Sequence, residues 1–365
     1  MQSLGLWHYT DRNILAVKIR RHSKDYNFIG DTLSGITFRW GRNFKENPKY
    51  APWPELADIS ISNHCTKGCN YCYRNSSENF SFMSLEDYEY ILNELQHPIW
   101  GNVFQIAIGG GEPLEHPQLK QILELTISKN IVPNLTTNGI HINSEYAKYF
   151  KNKVGAVALS VEDIQTLNSE KVRILLKESV KTNIHYLLSN RNISQAVDIL
   201  KGKYNEIFLG LNSIIFLTYK PLGRGSLADI LKLNDNLKKF IKQIDNNKCS
   251  TRIGFDACFV PLLLHFTKID PIYVDSCEAG FYSIYIDEKL NVKPCSFDNT
   301  GIYSFNLREH SFSDIWENKL KKYRENALNL CNRKCKNKKE CRGACYVYKE
   351  ITHCFSETKE GALYV

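Results

Sequence analysis

Three cysteines, Cys65, Cys69 and Cys72, stand close together in the stretch Asn63-His64-Cys65-Thr66-Lys67-Gly68-Cys69-Asn70-Tyr71-Cys72-Tyr73-Arg74. Three thiolates can hold a metal cluster while one metal position stays open, whereas clusters that only carry electrons are closed by four cysteines. An open position is where a small molecule can bind and react, and it separates catalytic from structural metal sites. The same triplet with His64 would also suit a structural zinc site, and three buried thiols would need no metal at all.

A second array crowds the C-terminal part: Cys277, Cys295, Cys331, Cys335, Cys341, Cys345 and Cys354. A zinc ribbon is one way to use them. The first residues show no basic end followed by an apolar core, so no signal peptide is expected. Twelve cysteines without an export signal argue for reduced thiols acting as metal or cluster ligands, and for a cytoplasmic protein. No apolar run is long enough to span a bilayer, so no membrane partner is expected. The formal charge is +8, concentrated in Lys232 to Lys248 and Lys319 to Arg342. Solvated helical faces account for such runs, and no nucleic-acid partner is expected from them. In the second run Arg333, Lys334, Lys336, Lys338, Lys339 and Arg342 interleave with cysteines, where cations would stabilise anionic cluster-bound thiolates.

The elements that must position these residues are legible from residue 57 onward. Short β-branched runs alternate with helix-like stretches, as in β/α units around a parallel sheet. Strands are expected at Ala57–Ile61, Val103–Ile108, Ile131–Thr136, Val154–Ser160, Asn183–Leu188 and Ser213–Thr218. Leu85–Gln96 reads as a helix with Ser84 as N-cap and Asp87 at the capping-box position. Six units predict an α/β fold, an open and partial TIM-like barrel. Its chemistry belongs at the carboxyl ends of the strands. The cysteine loop follows the first strand, Gly109-Gly110-Gly111-Glu112-Pro113 the second and Thr136-Thr137-Asn138-Gly139 the third. Ser160-Val161-Glu162 ends the fourth, and Tyr219-Lys220-Pro221-Leu222-Gly223-Arg224-Gly225 follows the sixth.

The C-x3-C-x2-C spacing with an aromatic before the third cysteine, followed by these motifs in order, resembles the radical S-adenosylmethionine (SAM) superfamily. The resemblance covers roughly residues 57 to 225 and implies a [4Fe-4S] cluster on Cys65, Cys69 and Cys72. The methionine part of S-adenosyl-L-methionine would chelate the open iron, and reductive cleavage would yield a 5′-deoxyadenosyl radical that abstracts hydrogen. It further implies that Gly110, Gly111 and Glu112 meet the amino group of S-adenosylmethionine, that Tyr71 borders the adenine, and that Asn138 and Ser160 line the cofactor. Taken singly, an Asn-Gly turn and a strand-end serine are ordinary turn and cap residues.

The second array resembles the seven-cysteine SPASM extension of that superfamily, which carries two auxiliary [4Fe-4S] clusters. The resemblance gives Cys277, Cys295 and Cys345 to one and Cys331, Cys335, Cys341 and Cys354 to the other. The first set is one ligand short, and Cys258 could supply it, or the site could stay open for a substrate group. Cys331-x3-Cys335 is one residue longer than usual, and Leu290 stands where a glycine precedes Cys295. Relatives of this kind mostly modify peptides or proteins, so the leading expectation is a peptide-maturing oxidoreductase fed by a flavodoxin- or ferredoxin-type reductant. Ser296 after Cys295 lacks the acid of the sulfatase-maturing members. Glu162 and Asp256 are candidate general bases. Radical chemistry on a sugar, nucleotide or RNA is the alternative, and a non-catalytic iron-sulfur electron-transfer or binding protein is a third. The expected layout is a β-rich extension over residues 1–56, the barrel over 57–250 and an auxiliary cluster domain over 251–365, with strands in the extension at Ile14–Ile19 and Gly35–Trp40.

Overall fold

The structure, a computed structural model, describes residues 18–329, 331, 335–342 and 345–348. Two compact units divide between Pro48 and Lys49. In the first, β1 (Lys18–His22), β2 (Asn27–Asp31) and β3 (Thr37–Trp40) form an antiparallel sheet in the order β1-β2-β3. Of the strands expected there, β3 falls within Gly35–Trp40, while Ile14 to Val17 lie outside the described residues.

The second unit is built on β4 (Leu56–Ser60), β5 (Gln105–Gly109), β6 (Val132–Thr137), β7 (Val157–Val161), β8 (Thr182–Leu188) and β9 (Ser213–Thr218). All neighbouring pairs among them are parallel. Between strands run α1 (Leu85–Glu94), α2 (Leu119–Ser128), α3 (Ser144–Phe150), α4 (Ser169–Lys177) and α5 (Ile193–Leu200). Ser84 caps α1, its hydroxyl accepting from Asp87 N–H at 3.0 Å. Capping of this kind satisfies one of the helix's unpaired amides and is worth about 1 kcal/mol. The six expected units are therefore present, with boundaries shifted by one to three residues at most ends.

Two further parallel strands come from beyond residue 250. β10 (Arg252–Phe255) pairs with β9, and β11 (Ser283–Ile286) pairs with the opposite edge at β4. β12 (Asn291–Lys293) and β13 (Phe305–Asn306) continue that edge antiparallel, so one sheet runs β10-β9-β8-β7-β6-β5-β4-β11-β12-β13. The cysteine-rich part thus completes the barrel sheet on both edges, with no division of the chain at residue 250. Residues 49–56 also belong here: Ala51 N–H donates to Phe281 O (2.8 Å) and Glu55 N–H to Tyr282 O (2.7 Å). Trp53 is buried, with its indole N–H on Leu95 O at 2.8 Å.

Parallel strands covered on both faces are usually apolar throughout, but burial alternates along these. Ala57, Ile59, Ile106, Ile108, Ile184, Tyr186, Ile214 and Phe216 are buried. Their neighbours Asp58, Ala107, Thr136, Ser160, His185 and Leu217 are partly accessible and line a cavity. The barrel therefore has an apolar outer face and a wet, mixed interior. α6 (Asp235–Asp245) carries part of the first basic run, burying Leu237, Phe240 and Ile241 while Lys238, Lys239 and Lys242 face solvent. The apolar run after Cys258 forms a short helix, α7 (Val260–Phe266).

Candidate active site

The cysteine loop leaves the carboxyl end of β4 and is braced by backbone from two sides. Gly111 N–H donates to Ser62 O (2.7 Å) and Glu112 N–H to His64 O (2.8 Å). A Cβ on Gly111 would lie 1.9 Å from His64 O, and one on Gly110, at φ +125°, 2.2 Å from Ser62 O. These glycines are required because two strand-end loops meet there, beyond any room they leave for a ligand. On the other side Arg224 Nε donates to Cys69 O (2.7 Å), its Nη1 to Ser76 O (2.8 Å), and its N–H to Cys72 O (3.0 Å). Sequence reasoning missed Arg224 as a positioning residue. Its signal was present as the one cation inside a Pro-Leu-Gly-Arg-Gly turn.

All three cysteines line a cavity of about 380 Å³. Ser76 N–H points at Cys72 Sγ (3.4 Å), and burial pushes the Cys65 thiol up while the Lys67 amide opposes it. Amides aimed at sulfur favour the thiolate, which is the form that binds metal. Glu112 is buried, with Oε1 accepting from Thr137 Oγ1 (2.6 Å) and Leu114 N–H (3.0 Å) and Oε2 from Asn138 N–H (2.8 Å). Burial raises its pKa and these donors pull it back. A carboxylate offers about four acceptor directions, so one remains for an ammonium. Asn138 contributes mainly its backbone, while its Nδ2 lies 4.0 Å from Cys65 Sγ. Tyr71 bonds through its hydroxyl to Cys69 and packs against Tyr219 and Ile230. Ser160 lines the same cavity.

The expected bases are placed differently. Asp256 lines the cavity, but Lys220 Nζ sits 2.6 Å from its Oδ2, and Thr218 donates through N–H (3.0 Å) and Oγ1 (2.7 Å). That carboxylate is the counter-ion of a buried lysine. Glu162 is not among the cavity-lining residues, and burial raises its pKa. Two groups that sequence reasoning passed over do line the cavity: Asp58 on β4 and His185 on β8. Burial pushes Asp58 up to about 6, against the pull of Arg74, and pushes His185 down to about 4. The available signal was a single titratable residue at an inward position of an apolar strand.

The second array assembles in part. The Cys258 and Cys345 thiols are hydrogen-bonded to each other, Cys277 lies in the field of Cys258, and Cys295 in those of Cys277 and Cys258. Burial pushes Cys277 up to about 12 and Cys295 further. The structure thus brings Cys258 to the three cysteines that were one short. Lys220 reaches toward Cys258 and Cys295 from the cavity side. Cys335 Sγ lies 3.8 Å from His265 Nε2. Cys331 and Cys341 are described, and Cys354 lies outside the described residues. No three His, Cys, Asp or Glu side chains among the described residues converge on a point suited to one metal ion. None of the described cysteines is in a disulfide.

Residues 59–195 match the profile of the radical SAM superfamily, and residues 277–346 match SPASM, an iron-sulfur cluster-binding domain. The chain belongs to the radical SAM superfamily, with a SPASM domain. This chain is 27% identical over 180 residues to a probable GTP 3′,8-cyclase of Methanococcus vannielii, covering 48% of this chain and 50% of that protein. It is 21% identical over 287 residues to the antilisterial bacteriocin subtilosin biosynthesis protein AlbA of Bacillus subtilis, covering 74% of this chain and 61% of AlbA. The chain therefore spans half to about three fifths of these curated relatives. Streptococcus suis SuiB bound to S-adenosylmethionine has the same fold, with a TM-score of 0.68 at 15% identity over 94% of this chain and 98% of that one. anSMEcpe with bound AdoMet and the Cp18Cys peptide aligns with a TM-score of 0.59 at 19% identity, covering 85% of this chain and 92% of the other. Among the described residues no helix is long and apolar enough to cross a membrane.

Proposed function

We propose that this enzyme modifies a side chain of a peptide or protein by hydrogen abstraction. The observation that carries the reading is one continuous cavity. It is lined by Cys65, Cys69 and Cys72 and also by Lys220, Ser296 and Phe297, with Lys220 in the field of Cys258 and Cys295. A substrate held in it would meet the cysteine loop and the residues that border the auxiliary array. The likeness to SuiB, solved also with precursor peptide SuiA, and to AlbA supports a peptide over a small metabolite.

The residues fit the cofactors. Cys65, Cys69 and Cys72 would hold a [4Fe-4S] cluster, and Glu112 has an acceptor direction left for the ammonium of S-adenosylmethionine. When bound, the pair supplies a 5′-deoxyadenosyl radical on reduction. Tyr71 walls the cavity beside Cys69 and keeps solvent from it. Lys220 keeps its positive charge through Asp256, between the cavity and the thiols of Cys258 and Cys295. Cys258, Cys277, Cys295 and Cys345 would hold an auxiliary cluster, and Cys331, Cys335, Cys341 and Cys354 a second. Clusters there would supply an acceptor for the electron left on the substrate. A flavodoxin- or ferredoxin-type protein would be the reductant, and the cysteine-rich sequence supports a reducing cytoplasm as the setting.

The likeness to a probable GTP 3′,8-cyclase favours a nucleotide as the second reading. Anaerobic reconstitution with iron and sulfide, then dithionite and S-adenosylmethionine, tests both. About twelve irons per chain and 5′-deoxyadenosine formation stimulated by peptides support the proposal. Stimulation by nucleotides alone transfers the enzyme to the second reading.

A further inference from the structure

The cavity has a wall that nothing in the cofactor reading uses. Asp58 sits at an inward position of β4, two residues before its end at Ser60 and directly opposite Tyr285 on β11. At about 3.3 Å per residue its carboxyl lies roughly 7 Å below the rim from which the cysteine loop departs. Four strands away, His185 holds an inward position on β8. Among the described residues neither side chain makes a hydrogen bond or ion pair. Burying a carboxylate without a partner is costly, so a place kept for one calls for a ligand.

The surrounding charges identify the ligand's sign. Lys220 is neutralised by Asp256, 2.6 Å away. Arg74, the cation nearest Asp58 in its effect, is engaged with Glu288 at 2.5 Å, with Asn63 Oδ1 at 3.2 Å and with the Tyr285 hydroxyl. Glu112 is satisfied by three donors beside the cysteine loop. Lys67 lies exposed at the rim. Asp58 is therefore a cavity-lining carboxylate that makes no hydrogen bond or ion pair among the described residues and feels only the field of Arg74, whose own bonds go elsewhere. A neutral imidazole at His185 adds a nitrogen acceptor and no competing positive charge.

We infer that Asp58, with His185 on the facing wall, forms a seat for an alkylammonium group, and that the substrate presents a lysine side chain to this cavity. The identity of the occupant as part of a peptide rests on the function proposed above. The seat itself does not. A lysine's four-methylene stem has the reach to carry its ammonium from the rim to Asp58, lying along Ala107, Leu187 and Leu217 of the cavity wall. Its three N–H donors match a carboxylate and an imidazole nitrogen.

The test uses the full chain, reconstituted anaerobically and loaded with S-adenosylmethionine. Fluorescein-labelled pentapeptides with a central lysine or norleucine are titrated and followed by anisotropy. The lysine peptide is expected to bind about tenfold more tightly, to be displaced by n-butylammonium, and to lose its advantage in Asp58→Asn while affinity for S-adenosylmethionine is retained. Equal binding of the two peptides, or an advantage that survives Asp58→Asn, overturns the inference. If neither peptide binds, the peptide reading fails, and the seat is judged by n-butylammonium alone. A rise in Tm over n-butanol in the wild type but not in Asp58→Asn upholds it, and no difference overturns it.

Discussion

The loop of Cys65, Cys69 and Cys72 and the group of Cys258, Cys277, Cys295 and Cys345 are both sulfur sites, yet they are held differently. The first is gripped by main chain, through the amides of Gly111 and Glu112 on one side and three hydrogen bonds from Arg224 on the other. Its shape is set by contacts that do not involve a metal. The second is made of buried thiols drawn from β11's approach, the β12 edge and the C-terminal region, and burial drives Cys277 and Cys295 toward the protonated form. Such a site gains its charge compensation from the metal, so binding there is coupled to folding. A preformed site with an open position suits a cofactor that must be admitted and released. A site completed by its own cluster suits a permanent electron acceptor.

Breaking the first region should have the largest effect. Cys69→Ala is expected to abolish 5′-deoxyadenosine formation while most auxiliary iron stays, and full cleavage by that variant would remove the assignment. Arg224→Ala, which withdraws three side-chain hydrogen bonds from the loop and the residues just after it, should lower its cluster occupancy and slow turnover by roughly tenfold. At about 1–1.5 kcal/mol for each bond the fold should survive, as circular dichroism would show. Restoration of full activity by Arg224→Lys would mean that the fork geometry is irrelevant.

In the second region Cys258→Ala should reduce auxiliary iron and the unfolding temperature of the loaded protein together. Unchanged iron content and spectra would make Cys258 a packing thiol that happens to touch Cys345. The smallest effect sharpens the contrast from inside the cavity. The pKa of Asp58 is raised from 3.8 to about 6 on folding, so its favourable contribution is complete below pH 3.8 and lost as pH rises toward 6. At neutral pH the carboxylate then costs about 3 kcal/mol. Asp58→Asn should therefore stabilise the apoprotein by a few degrees at pH 7 and by nothing near pH 4. A pH-independent change would show that the carboxylate's charge is not what the site tolerates.

Much of this was legible in the residues themselves. Period, turn chemistry and cap residues are local properties, so the six β/α units, the Ser84 cap and the loops at strand ends followed from the chain. Cysteine spacing is equally local, and it pointed to the triplet and the SPASM array. Asp256 read as a free base because nothing adjacent in sequence reveals Lys220 lying 2.6 Å from it. Glu162 looked placed for chemistry because strand-end position does not say which way a side chain turns.

The sequence by itself determined which residues can bind metal, which segments are strands and at which end the loops gather, because these depend on side-chain type and short-range geometry. Only the tertiary structure decided that residues beyond 250 extend both edges of the barrel sheet, that Cys258 meets Cys345, that Gly111 is demanded by the backbone of His64, and that Asp58 lines the cavity with no hydrogen bond among the described residues. Each of these is a contact between residues far apart in the chain. Its energy comes from burial and charge compensation among partners that no local pattern names.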